Sequence, residues 1–324
     1  MQSSGREPAG SGAQVVVTGG AGFLGSWLCR ALVDEGHRVL SIDDHSTGRT
    51  DNLRGLLDHP RFSAHTADVC DGIDVDGPVC AVLHLASPAS PPAYQRLAVE
   101  TLRVGSLGTF AALELARRSG ARFVLASTSE VYGDPAEHPQ TESYWGHVNP
   151  VGPRSMYDEA KRFSEAATAA YRRTHGVDTG IVRIFNTYGP RMDPADGRVV
   201  PTFISQALRG EPMTVAGDGS QTRSLCHVRD TVGALVAMMR SQHPGPVNVG
   251  NPHEVSVRDL ATEIATAVGV EPDIRFVDLP VDDPRVRCPD IALAADVLGW
   301  RPEISRADGL AETVAWFRAE GTAG

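Results

Sequence analysis

Tyr157 and Lys161 stand four residues apart, a spacing that puts both side chains on one face of a helix. A phenol is a poor base at neutral pH, its pKa being about 10. A neighbouring ammonium favours the phenolate and lowers that value. A tyrosine activated in this way can take the proton of a substrate hydroxyl while hydride leaves the same carbon for a cofactor. Upstream, the stretch ASTSEVYG (126–133) continues an apolar, strand-like run and then sets Thr128, Ser129 and Glu130 side by side. A hydroxyl at the end of such a strand, that of Thr128, is placed to assist the tyrosine.

The cofactor such chemistry needs has its own signal. Gln14–Thr18, a β-branched run, leads into Gly19-Gly-Ala-Gly22-Phe23-Leu24-Gly25 and then a helical pattern. Glycines at 19, 22 and 25 permit a tight turn, close approach of backbone N–H groups to a pyrophosphate, and close helix–strand packing. The helix N-terminus adds its positive dipole end. Asp43 closes the next apolar run, eighteen residues past Gly25. A carboxylate there accepts hydrogen bonds from a ribose 2′-hydroxyl and repels a 2′-phosphate, so the expected cofactor is NAD rather than NADP. Asp44, Thr47 and Gly48 follow it, and Leu85 ends a later strand with Ser87 just beyond; they belong to the same expected cofactor surface.

These groups must be positioned by an alternating architecture. Strand-like runs at Gln14–Thr18, His37–Ile42, Cys80–Leu85 and Phe123–Ala126 alternate with helical patterns such as Leu107–Arg118. That order predicts an α/β fold, a doubly wound parallel sheet with helices on both faces. After about residue 188 the pattern loosens. Ser256 with Asp259, and Ser305 with Asp308, mark two later helix starts. Pro246–Gly250 reads as a strand returning to the first sheet. The expected organisation is a disordered tail (1–12), a cofactor domain (13–188 plus about 225–251) and a smaller C-terminal substrate domain (about 189–224 plus 252–324).

Bulk properties narrow the classes. The chain has 324 residues and a net charge of −10, which disfavours nucleic acid and anionic membranes as partners. No run approaches a membrane span, and the polar start MQSSGREPAGSG has no apolar stretch. Five cysteines without metal-ligand spacing predict reduced thiols in the cytoplasm. His84, His138 and His147 likewise lack ligand spacing, and no metal is expected.

The two-residue gap between the first glycines, the Tyr-x-x-x-Lys pair and Leu298-Gly-Trp-Arg-Pro302 together resemble the extended short-chain dehydrogenase/reductase family of nucleotide-sugar epimerases, dehydratases and decarboxylases. The resemblance spans about residues 13–318. It implies that Asp68 and Val69 hold the adenine and that Lys161 holds the nicotinamide ribose. Family dehydratases carry Asp-Glu after the threonine. Here Ser129 replaces the aspartate, and a serine hydroxyl is a poor general acid. Thr-Ser-Glu resembles the UDP-glucuronate decarboxylase branch, as do HLASPASPPAY (84–94), YWGHVNPVGPRSMYDEAKR (144–162), RIFNTYGPRM (183–192), DGRVV (196–200), GSQTRS (219–224) and DDPRVRCPD (282–290).

That branch implies the substrate UDP-glucuronate and the product UDP-xylose. C4 is oxidised, the β-keto acid loses CO2, and C4 is reduced again. The resemblance implies Thr128, Glu130, Tyr157, Lys161 and Arg223 as catalytic. It implies Tyr94, Ser129, Asn186, Arg191, Arg223 and Arg287 as substrate contacts, with Arg223 near the sugar carboxylate and Arg287 near the diphosphate. Gly105, where the family usually has asparagine, is expected to loosen the site. Helices at about 96–118 and 156–175 are expected to form a homodimer contact. A 4-epimerase or a branched-pentose synthase remains an alternative, and a non-catalytic NAD sensor a remote one.

Overall fold

The computed structural model describes residues 12–278 and 286–321; the expected tail lies outside the described residues but for Gly12. β1 (Gln14–Thr18) enters α1 (Phe23–Asp34) through the glycine loop, and β2 (Arg38–Asp43), β3 (Phe62–Thr66) and β4 (Val79–His84) follow. Then come α2 (Pro91–Arg96), α3 (Ala98–Arg103), a π-helical turn (Val104–Gly108) and α4 (Thr109–Ser119). β5 (Arg122–Thr128) precedes α5 (Ser155–His175), β6 (Thr179–Ile184) and the short β7 (Thr187–Tyr188). The C-terminal part holds α6 (Val199–Leu208), β8 (Met213–Ala216), β9 (Thr222–Ser224), β10 (Cys226–His227), α7 (Val228–Arg240), β11 (Val247–Val249) and β12 (Glu254–Ser256). It ends with α8 (Val257–Val268), β13 (Ile274–Val277), α9 (Ala292–Leu298) and α10 (Arg306–Gly321).

Seven strands form one parallel sheet in the order β11-β6-β5-β4-β1-β2-β3. The order in which successive strands are added reverses between β1 and β4, and in such sheets ligands bind beyond the carboxyl ends of the strands at that point. The glycine loop and Thr128 both sit at those ends. β3 and β6, which the apolar runs did not delimit, complete the sheet. Four of the five β3 residues are exposed, so no apolar pattern marks an edge strand of this kind. β11 returns to the sheet beside β6, as expected.

Helices cover both faces. Leu28, Leu32, Val232, Leu235 and Trp300 pack on one face, and Val104, Leu113, Ala116 and Phe123 on the other. A separate apolar core joins α6, α8, α10 and β8 through Phe203, Val215, Leu260, Ile264 and Phe317. Both later helix starts are capped as the sequence indicates. The hydroxyls of Ser256 and Ser305 accept from the N–H of Asp259 and Asp308 at 3.0 and 3.1 Å, and each donates to that aspartate's carboxylate. Among the described residues no helix is long and apolar enough to cross a membrane.

Candidate active site

A cleft of about 1160 Å³ opens at the carboxyl ends of the strands, and every residue singled out from the sequence for catalysis, cofactor or substrate lines it. Its floor is the glycine loop. A Cβ on Gly25 would lie 2.0 Å from the Gly19 carbonyl oxygen, and Gly19 itself has φ +72°. Asp43 is buried and ties this loop to the next: Oδ2 accepts from Ala21 N–H and Oδ1 from His45 N–H, each at 2.9 Å. A Cβ on Gly48 would come within 2.7 Å of that carboxylate, so the backbone of the 45–48 turn lies flat against Asp43. Asp44 is more exposed and accepts from Ser46 N–H. Asp68 caps a short helical turn through Cys70 N–H, beside Val69. This bare backbone cradle, a buried acceptor and an adjoining cleft wall of Leu85 and Ser87 fit a dinucleotide: Gly19, Gly22 and Gly25 at the pyrophosphate, Asp43 at the ribose.

β5 and α5 bring the reactive groups together. Thr128 ends β5, and its hydroxyl accepts from Glu130 N–H at 3.2 Å, turning the chain. α5 starts at Ser155 and presents Tyr157 and Lys161 from successive turns. Lys161 Nζ is fully buried and donates to Ala126 O at 2.9 Å; burial lowers its pKa to about 8 despite Glu165. Tyr157 is buried and stacks on Tyr94 with ring centroids 5.0 Å apart. Burial pushes its pKa up to about 12, opposed by a hydrogen bond from Thr128 and by the Arg198 charge. The Lys161 ammonium lies 5.8 Å from the Tyr157 ring centroid, held on the β5 carbonyl.

Arg287 departs from the expected layout. Expected near the diphosphate, it lies at the Thr128 corner of the cleft and is only 4% exposed. Its guanidinium grips both Glu130 oxygens, the Nη2–Oε2 distance being 2.8 Å, and donates to Ser129 Oγ at 3.0 Å. The cause is the Gln140 stitch. Gln140 N–H donates to Cys288 O and Cys288 N–H to Gln140 Oε1, both at 2.9 Å, pinning the 286–290 arm beneath the loop that follows β5. Arg223, expected near the sugar carboxylate or C5, lines the cleft from β9, where its Nη1 donates to Thr222 O. Arg287 is one of the two cations on Glu130.

Three groups escaped the sequence reading. Arg154 donates to Glu130 Oε2 at 2.8 Å and lies over the Tyr94 ring. Arg198, paired with Asp196, faces Tyr157 and Tyr94. Asp158 is buried with Oδ1 unpartnered. Arg154 and Asp158 flank the tyrosine motif and Arg198 lies in DGRVV, but neither stretch shows which side chain turns inward. Burial alone would raise the pKa of Glu130; Arg287 and Arg154 outweigh it and hold the carboxyl well below the usual range. Asn186 and Arg191 line the cleft, Arg191 at φ +72° over Trp27 with Nη1 unpartnered. The Tyr94 hydroxyl is likewise buried without a partner. Those two orphaned donors face a cavity wide enough for a polar ligand.

Gly105, where the family usually has asparagine, is tightly packed. A Cβ there would lie 2.5 Å from the Ala160 Cβ, so the π-helical turn packs hard against α5. The Gly105 carbonyl accepts from Ser164 Oγ at 2.8 Å, and Ser164 joins a buried chain through Thr109 and His84 to Thr18.

Comparison with known proteins agrees with this geometry. The chain is 48% identical over 307 residues to UDP-glucuronic acid decarboxylase 1 of Xenopus tropicalis, covering 95% of this chain and 72% of that protein. It is 49% identical over 318 residues to UDP-glucuronic acid decarboxylase 1 of Arabidopsis thaliana, covering 97% and 73%. Among solved structures it is similar to UDP-glucuronic acid 4-epimerase from Bacillus cereus in complex with UDP-glucuronic acid and NAD, with a TM-score of 0.84, 26% identity, and 95% and 99% of the two chains covered. With residues 15–250 matching its family pattern, the chain belongs to the NAD dependent epimerase/dehydratase family.

Proposed function

We propose that this chain converts UDP-glucuronate to UDP-xylose and CO2, a reaction that leaves its NAD unchanged overall. The observation that carries this reading is the Thr128-Ser129-Glu130 corner. Its one carboxylate is fixed as an anion by Arg154 and Arg287, and the neighbouring position offers a hydroxyl in place of an acid. A permanent anion has no proton to give, so the corner is unsuited to expelling a sugar hydroxyl.

Bound NAD supplies a hydride acceptor at C4 and the donor that reverses it. Tyr157 takes the C4 hydroxyl proton, with Thr128 completing the hydrogen bond and Lys161 fixed behind on Ala126 O. Once C4 is a ketone, the C5 carboxylate is β to it and leaves as CO2, its electrons passing to an enolate that takes up a proton at C5 before hydride returns to C4. Tyr157 and Thr128 are placed to donate hydrogen bonds to that oxygen. A carboxylate clamped by a bare arginine would resist losing its charge. Glu130 already occupies both arms of Arg287, which leaves the substrate's acid group less stabilised. Further cleft arginines, among them Arg191, Arg198 and Arg223, supply positive charge for the diphosphate in a protein of net charge −10.

The relatives named UDP-glucuronic acid decarboxylase support the assignment, and the likeness to a UDP-glucuronic acid 4-epimerase supports the substrate class. Incubation of the purified chain with UDP-glucuronate and NAD should release CO2 with UDP-xylose as the sugar product. Retention of the carboxylate with inversion at C4 makes the chain an epimerase, and no conversion at all removes both readings.

A homodimer through α3–α5 is part of the proposal. Val99, Leu102, Leu107, Phe110 and Phe163 are all exposed on these helices. Phe110 meets Phe163 edge-to-face at 5.5 Å, so their exposed apolar surface is continuous, of the kind that marks an interface. A cytoplasmic location is also proposed. None of the five cysteines is in a disulfide, which supports a reducing compartment.

A further inference from the structure

Away from the reactive corner, three side chains from distant parts of the sequence converge: His138, Glu254 and Cys288. Their donor atoms all lie within 4.8 Å of one another, and among the described residues no other group of three such side chains does so. His138 Nε2 and Glu254 Oε2 are 3.0 Å apart. Cys288 is buried, its Sγ turned to Pro252 O at 3.3 Å.

The supports are in place. The Gln140 stitch fixes the Cys288 backbone two residues from His138. Thr222 Oγ1 donates to Glu254 Oε1 at 2.5 Å, leaving Oε2 to face His138. Outer hydrogen bonds of this kind orient first ligands toward an ion.

We propose that His138, Glu254 and Cys288 form a binding site for a borderline-soft divalent cation of the zinc type, with solvent water as fourth ligand, which ties the arm carrying Arg287 to β12 and to the loop before Gln140. Imidazole nitrogen, carboxylate oxygen and thiolate sulfur are all ligands zinc accepts, whereas magnesium and calcium take oxygen. Zinc holds such donors about 2.0–2.3 Å away, which sets them roughly 3.3–3.8 Å apart in a tetrahedron. Donor atoms up to 4.8 Å apart must therefore close by about 1 Å at most, a movement open to the exposed His138 ring. On coordination the Cys288 S–H bond breaks, the sulfur keeps the electron pair and donates it to the metal, and the proton leaves to solvent. No electron is transferred and no oxidant is needed.

The probe is Co2+, with Zn2+ as competitor, on the full chain loaded with NAD and first stripped by chelator. Expected are one equivalent bound with a thiolate-to-cobalt charge-transfer band, displacement by Zn2+, and a Zn2+-dependent rise in Tm. Cys288→Ser should abolish the band. His138→Gln and Glu254→Gln should each weaken Zn2+ binding about tenfold or more while the metal-free Tm stays that of the parent. If no band forms, or if the band survives in Cys288→Ser because another cysteine holds the cobalt, the site does not exist. If His138→Gln binds Zn2+ as tightly as the parent, His138 and Glu254 are only an ion pair and the proposal fails.

Discussion

Glu130 and Asp158 are both buried carboxylates near Tyr157, yet they titrate in opposite directions. Two arginines hold Glu130 charged. Asp158 has burial first and the Glu130 charge second against ionisation, and its pKa rises from 3.8 to about 7. A folded-state value above the unfolded one stabilises the protein below the unfolded pKa, and that stability is lost as pH rises through the folded value. Between pH 3.8 and about 7, Asp158 should therefore cost the protein stability. Asp158→Asn, which cannot ionise, should remove that decline and raise Tm by at least about 2 °C at pH 8. Melting curves across this range check it; parallel curves for parent and variant refute it. For Tyr157→Phe we expect turnover to fall by at least about 10²-fold with NAD still bound, read by CO2 release and cofactor fluorescence.

At the scale of elements, the contact between the π-helical turn and α5 decides how Lys161 is presented. Gly105 packs against Ala160, the residue just before that lysine. Gly105→Ala should destabilise by about 1–3 kcal/mol through overpacking and reduce cofactor affinity by moving α5. The reciprocal pair Gly105→Ala with Ala160→Gly should recover most of the loss. Melting and NAD titration of the single and double variants form the cycle, and strictly additive losses would show that the two residues do not share this contact. The same turn sets the buried His84, whose pKa burial lowers to about 3, with Lys161 contributing. His84 stays neutral throughout and acts as a hydrogen-bonding spacer between sheet and helix.

Across the whole molecule, the cleft is closed by pieces far apart in sequence: β5 and α5 from the sheet domain, α6 and β9 from the C-terminal part, and the arm bearing Arg287. The exposed faces of α3–α5 lie behind this assembly. Phe110→Glu together with Phe163→Glu should shift the chain to monomer in light scattering while its metal-free secondary structure stays intact. A parent that is already monomeric would sink the dimer proposal.

The strands β1, β2, β4, β5 and β11, both capped helices, the glycine loop with Asp43, and the helical pairing of Tyr157 with Lys161 were legible because each rests on local geometry: a continuous apolar run, a 3.6-residue period, a cap, a turn that only glycine allows. β3 was not legible, since an exposed edge strand carries no apolar pattern. The partner of Glu130 was not legible either, because an arginine in an irregular segment gives no sign of where it docks. Arg287 reaches that carboxylate because Gln140 pins the 286–290 arm, and Arg154 meets it from the start of α5. The meeting of His138, Glu254 and Cys288 has the same origin. Sequence spacing governs neighbours within an element, whereas contacts between loops are set by the packing of everything between them.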